Sequence, residues 1–335
     1  MKRLLLIPII TLLAACGGRG GRDSAFVTTI DGFAQGTYYH IVMMSPDSLR
    51  GIERSIDSLF TVIDNSMSIF NSNSRLSHLN RGEIDQLDPY ITYCINTARE
   101  VSAATGGLYD ITVKPLTQAW GFATEEREAE PNVDSLLQFV GYDKIAIEGN
   151  RLVKADPRVQ LDLNSIAKGY SADLVAELIE SRGVKRYLVE LGGEIVARGN
   201  NASGIPWVIG IDEPVEGNMV PGVQTQVMIS LTDKCMATSG NYRNFRYDDK
   251  GRKIVHSINP RTGAASPGNV LSATVVAPTC GYADAMGTAL MVLGFERAVE
   301  LVEKTPDVWA YIIYTDEKNG YQTWISPELK KKIVE

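Results

Sequence analysis

Asp284 and Thr288 lie in the run Cys280-Gly281-Tyr282-Ala283-Asp284-Ala285-Met286-Gly287-Thr288, where small and apolar residues surround two oxygen-bearing side chains. On a helix, positions four apart share a face, so a carboxylate and a hydroxyl would stand together. That donor pair suits Mg²⁺, a hard cation that takes few protein ligands and keeps waters or binds substrate phosphates. The same letters also read as an Asp capping a helix and a Thr bonding back into its own turn.

A second group is Asp162-Leu163-Asn164-Ser165-Ile166-Ala167-Lys168-Gly169-Tyr170. If a helix begins here, its free N–H groups and positive dipole end suit a phosphate, and Lys168 adds a point charge. Asp162 could bind polar ligand groups or orient Lys168; an N-cap residue followed by a solvated lysine is the plainer account. The third group is Ala237-Thr238-Ser239-Gly240-Asn241-Tyr242-Arg243, followed by His256-Ser257-Ile258-Asn259-Pro260-Arg261-Thr262-Gly263. Its hydroxyls and backbone donors could face phosphate with Arg243 as charge partner. His256 is a proton carrier suited to neutral pH; equally, it could end a strand before an Asn-Pro-Arg-Thr-Gly turn. No serine-protease triad, Walker loop or dinucleotide fingerprint is present.

Three stretches have the spacing of helices that would position these groups. Leu49, Ile52, Ile56, Leu59, Phe60 and Ile63 recur at threes and fours. Pro89 to Thr105 has Ile91, Ile95, Ala98 and Val101 on one face, with Gly106-Gly107 as a stop. A third helix begins near Ser165 and ends before Gly183. Strand patterns fall at Thr37–Met44, Lys144–Ile147, Leu152–Lys154, Tyr187–Leu191, Trp207–Ile211, Gln224–Leu231, Val270–Val276 and Val308–Tyr314. Glu148-Gly149-Asn150 reads as a hairpin turn. Ala123–Asn132 reads as a charged surface loop or short exposed helix. Strands and helices mix without regular βαβ alternation, which predicts an α+β fold, one compact domain of one or two lobes.

The groups gain weight from their order. Gln35-Gly36-Thr37, Met67-Ser68-Ile69-Phe70, Tyr109 to Leu116, Trp120-Gly121-Phe122, Asp162 to Tyr170, Leu191-Gly192-Gly193-Glu194, Thr238 to Arg243, His256 to Gly263 and Asp284 to Thr288 follow one another. In that order they resemble the ApbE family, the FAD:protein FMN transferases, from about residue 30 to the C-terminus. The resemblance implies an enzyme that uses Mg²⁺ and FAD, joins the FMN half to a threonine hydroxyl of a target protein through a phosphoester, and releases AMP. It places the metal on Asp284, Thr288 and the backbone carbonyl of Ser165. It places flavin contacts at Gln35, Phe70, Leu108, Tyr109, Asp110, Asp162, Lys168 and the backbone near Ile258. Relatives often have Met at the Gln35 position and Tyr at that of Phe70, so one hydroxyl contact is lost here. Some have Asp at the Gly287 position, a ligand that water would replace. His256 is the candidate for taking the threonine proton. Hydrolysis of FAD to FMN and AMP, and non-catalytic FAD binding, are the alternatives on the same site. The implied targets are threonine-bearing subunits of membrane electron-transfer complexes. Acceptor segments resemble Ser/Asp-Gly-Ala-Thr; the nearest match here, Thr262-Gly263-Ala264-Ala265, lacks the acceptor threonine.

The chain begins Met-Lys-Arg, continues apolar from Leu4 to Ala15 and reaches Cys16 through Leu13-Ala14-Ala15. That is a secretory signal ending in what looks like a bacterial lipobox. Residues 1–15 are expected to be removed, 16–24 to form a lipidated, glycine-rich tether, and 25–335 to fold. The expected location is the periplasmic side of the cell envelope, anchored at Cys16. Cys94, Cys235 and Cys280 remain, an odd count without metal-ligand spacing; they read as buried thiols, with one disulfide left open. With 33 Lys and Arg against 40 Asp and Glu, the chain offers no electrostatic footprint for nucleic acid.

Overall fold

The computed structural model describes residues 26–45, 49–122, 131–214, 225–241, 245–247, 250–265, 267–316, 318 and 320–334. Cys16, the tether, Tyr242, Arg243 and most of the 123–132 stretch lie outside them.

The described chain opens with the hairpin β1 (Phe26–Ala34) and β2 (Thr37–Ser45). Helices α1 (Ile52–Met67), α2 (Arg75–Arg81), α3 (Pro89–Ala104), α4 (Lys114–Ala119) and α5 (Val133–Leu137) follow. The small hairpin β3 (Ile145–Glu148) and β4 (Arg151–Lys154) leads to α6 (Ala167–Ser181). Next come β5 (Arg186–Leu191), β6 (Glu194–Arg198), β7 (Trp207–Asp212), β8 (Thr225–Leu231) and β9 (Lys234–Gly240). A short pair, β10 (Phe245–Tyr247) and β11 (Lys253–Val255), precedes β12 (Val270–Ala277), α7 (Cys280–Leu293) and α8 (Phe295–Lys304). The chain ends with β13 (Trp309–Asp316), β14 (Gly320–Ile325), α9 (Pro327–Lys330) and β15 (Ile333–Val334).

Eight strands form one antiparallel sheet in the order β1-β2-β5-β6-β9-β12-β13-β14, which is chain order with excursions left out. Alternate side chains point to opposite faces. One face buries Ile41, Val189, Val196, Ala237, Val275 and Ile312 in a core shared with α1, α3, α6, α7 and α8. The other buries Met44, Ile195, Ala197, Met236 and Ile313 against β7, β8 and α9. A satellite cluster joins α4, α5 and β11 around Leu116, Val140, Ile254 and Ile258. The result is the α+β class expected from the sequence.

Local chemistry explains the element ends. Helix α1 starts at Ile52 rather than Leu49 because Gly51 takes φ 76°, a left-handed conformation that interrupts the pattern. Asp88 caps α3 through the Ile91 amide at 2.9 Å, Pro89 occupies its first turn, and Gly106 and Gly107 end it with φ of 61° and 83°. Helix α7 is capped from outside. Thr279 makes no side-chain cap, and Asp173 of α6 instead accepts from the amides of Cys280 (2.9 Å) and Gly281 (2.8 Å). That contact fixes the two helices that carry the charged site residues. The three described cysteines, Cys94, Cys235 and Cys280, are buried and free.

Candidate active site

Asp284 and Lys168 meet where α7 crosses α6. The Gly169 amide donates to Asp284 Oδ2 at 3.0 Å. The crossing requires glycine, since a Cβ at Gly169 would fall 2.3 Å from the Cys280 carbonyl oxygen. Gly169 lies in the first turn of α6, where amides have no partner within the helix, and Asp284 supplies one for it from α7. Thr288, one turn beyond Asp284, stands 3.4 Å from Ser239 Oγ on β9.

Lys168 does not pair with Asp162. Its ammonium bonds Glu194 Oε1 at the start of β6. The Lys168 side chain is 36% exposed and that of Glu194 2%, so the pair is open to solvent on the lysine side. Burial pushes the Glu194 and Asp284 carboxyls above the ordinary range, and Lys168 pulls both back. Burial acts to lower the Lys168 ammonium, but Glu194 and Asp284 outweigh it and its pKa rises.

Asp162 holds a separate position. Its carboxylate accepts from Thr117 Oγ1 at 2.9 Å and from the Asn164 amide at 3.0 Å. Burial raises its pKa, and these bonds together with the charges of Lys114 and His256 oppose the rise. Asp162 and His256 therefore share one electrostatic neighbourhood. His256 also packs edge-on to Phe122, with ring centroids 6.3 Å apart.

The remaining sequence candidates take separate places in the fold. Tyr109 is buried and its hydroxyl bonds Ser165 Oγ at 2.9 Å. Asp110 accepts from the Thr112 amide and hydroxyl at 2.8 and 2.7 Å, fixing the turn that Leu108 enters. Gln35, at φ 50° in the β1–β2 turn, donates to Ser171 Oγ at 2.6 Å, one turn along α6 from Lys168. Ile258 is buried in the satellite cluster, and Phe70 stands 69% exposed beyond α1. In the Ala237–Arg243 group, Ala237 to Gly240 are the second half of β9 in the middle of the sheet, so Ser239 supports Thr288 from below. Sequence reasoning missed Glu194, Lys114 and Thr117 as site residues, although Glu194 ends the Gly192-Gly193 motif.

The oxygen donors fit Mg²⁺. Asp284 is buried with one backbone donor, the Thr288 hydroxyl and the Ser165 carbonyl would be hard oxygen donors, and Glu194 Oε2 is a buried oxygen without a hydrogen-bond partner. Among the described residues, no group of three or more His, Cys, Asp or Glu forms a ready cage. Mg²⁺ does not require one, because it retains waters and takes substrate phosphates.

The ApbE family model matches residues 35–313. A FAD:protein FMN transferase from Haemophilus influenzae is 34% identical over 354 aligned positions, covering 99% of this chain and 98% of the relative. A protein of the same name from Escherichia coli strain K12 is 32% identical, covering 92% and 90%. The solved flavin transferase ApbE from Vibrio cholerae superposes with a TM-score of 0.81 at 30% identity, covering 92% of this chain and 99% of that one.

Proposed function

This chain belongs to the ApbE family, and from that premise we propose that it transfers the FMN half of FAD to a threonine hydroxyl of a target protein and releases AMP. The observation that carries this reading is the joint at α6 and α7. Adjacent residues there, Lys168 and Gly169, present an ammonium for phosphate and hold Asp284 for a cation. Storage of FAD needs no such charge arrangement; attack at a pyrophosphate phosphorus does, because that reaction depends on positioning and charge neutralisation.

In the transfer, the threonine oxygen forms a bond to the FMN phosphorus while the bond from that phosphorus to the AMP oxygen breaks. Lys168 neutralises the pyrophosphate. His256 takes the threonine proton, and Asp162, in the same neighbourhood, stabilises the imidazolium. Tyr109 and Asp110 hold the loop against which the flavin rests, and Gln35 orients the ring edge from the hairpin turn. Mg²⁺, held by Asp284, Thr288 and the Ser165 carbonyl, would supply electrostatic stabilisation of the departing phosphate.

The test is incubation with FAD, Mg²⁺ and a peptide carrying a Ser-Gly-Ala-Thr acceptor. Fluorescent peptide with one AMP per label supports transfer; AMP with unlabelled peptide selects hydrolysis, and no AMP removes both. The natural acceptors would be threonine-bearing subunits of membrane electron-transfer complexes, with the enzyme held at the periplasmic face by lipid on Cys16. The lipobox-like Leu13-Ala14-Ala15-Cys16 supports that location. Equal incorporation of labelled lipid into wild type and Cys16→Ser would refute it.

A further inference from the structure

Glu194 is the one described carboxylate with a buried oxygen that has no hydrogen-bond partner. Its residue is 1% exposed, so bulk water does not satisfy that oxygen. A buried polar oxygen left in this state is costly unless something bound to the protein completes its interactions. Three observations bear on what that something is. Glu194 begins β6 on the same face as Val196, whose side chain packs in the core shared with α6 and α7. Its Oε1 is taken by Lys168, next in the chain to the glycine whose amide bonds Asp284. The turn before it, Gly192-Gly193, is fixed by the bond from the Gly192 amide to the Tyr38 carbonyl at 3.0 Å, so the carboxylate is anchored at its backbone as well.

We propose that Glu194 is a further arm of the cation site, with Oε1 holding the Lys168 ammonium and Oε2 accepting from water carried on the bound divalent cation. Glu194 is thus a positioning residue with two duties. It sets the lysine that meets the pyrophosphate, and it orients the water shell of the ion that Asp284 binds. The proposal rests on the reading of Asp284 as a cation ligand.

The experiment is calorimetric titration of Mg²⁺ into the FAD-free protein, with the melting temperature of each apo variant as a check on folding. Loss of an outer-sphere carboxylate costs about 10- to 100-fold in metal affinity, so Glu194→Gln should bind Mg²⁺ that much more weakly. Lys168→Met should bind it as well as wild type or better, because a competing positive charge has gone. Lys168→Met combined with Glu194→Gln removes both partners of the ion pair, and it should again bind about 10- to 100-fold more weakly than Lys168→Met alone. This second comparison decides the matter if Glu194→Gln alone does not fold. Equal affinity of Lys168→Met and the double variant would overturn the proposal, since Glu194 would then serve only Lys168. Wild-type Mg²⁺ affinity in Asp284→Ala would instead overturn the reading of Asp284 on which the proposal rests.

Discussion

Gly169→Ala isolates the close approach that joins the two charged helices. The added methyl carbon would lie 2.3 Å from the Cys280 carbonyl oxygen, 2.7 Å from its carbon and 2.8 Å from Asp284 Cβ. Two of these atoms are backbone, so no side-chain rotation relieves the overlap; α7 must move away by roughly 1 Å to reach ordinary contact. Overpacking of this kind costs about 1–3 kcal/mol. The charge-assisted bond from the Gly169 amide to Asp284 stretches with it, a further ~1.5–3 kcal/mol if lost. Alanine regains about 1 kcal/mol of helix propensity. The net is a destabilisation of about 3 kcal/mol, and at ~2 °C per kcal/mol for a domain of this size the melting temperature should fall by about 6 °C. Gly287→Ala is the control. There the methyl would meet the Ser239 hydroxyl at 2.9 Å, a side chain that can rotate, and the change should be much smaller. Differential scanning calorimetry of the two apo variants reads the difference. A Gly169→Ala protein melting within about 1 °C of wild type would refute the argument that the crossing requires glycine.

Asp284→Ala should abolish measurable Mg²⁺ binding by calorimetry while the apo fold survives, and Thr288→Val should weaken it only modestly because water replaces a neutral hydroxyl. Lys168→Met should lower FAD affinity about ten- to a hundredfold in equilibrium dialysis, the value of a charge-assisted hydrogen bond of roughly 1.5–3 kcal/mol. Asp173 has its pKa pushed up to about 6 by burial, against the opposing effect of the two α7 amides. Between its ordinary value and about pH 6 the folded chain therefore holds a proton that the unfolded chain has released. Relative to Asp173→Asn, wild type should lose up to about 2 kcal/mol of stability as the pH rises through 6, measured by urea unfolding at pH 4.5 and 7.5. A flat difference would place Asp173 outside the titration.

What could be read from the sequence was whatever its own neighbours enforce. Asp88-Pro89 and Gly106-Gly107 bracket α3 because capping acts within a turn. The Gly149 turn is visible for the same reason, and the spacing of Asp284 and Thr288 needs only the pitch of one helix. Glu194 was hidden because β6 is buried on both faces, so Glu-Ile-Val-Ala shows no alternation, and its partner lies 26 residues away on a helix. Asp162 was the nearer carboxylate in sequence and therefore the natural guess for Lys168; the strand order, which the sequence does not state, brings Glu194 there instead. Ala237 to Gly240 carry turn-forming letters, yet their place between β6 and β12 makes them strand. The cap of α7 is set by Asp173, 107 residues earlier, which no local rule could find.

The sheet order also carries a consequence for how the chain reaches this state. Strand β2 pairs with β5 from Met44 against Arg186 to Tyr39 against Leu191. A ribosome delivers residues N-terminus first, so the β1–β2 hairpin is complete about 140 residues before its neighbour exists. Closing a segment of that length costs on the order of 4 kcal/mol in chain entropy, repaid only when β5 docks. During that interval the inner edge of β2, with Ile41 and Met43 beside it, is an open template for any other extended chain. Refolding should accordingly be slow and concentration-sensitive, with aggregation competing until β5 has docked on β2.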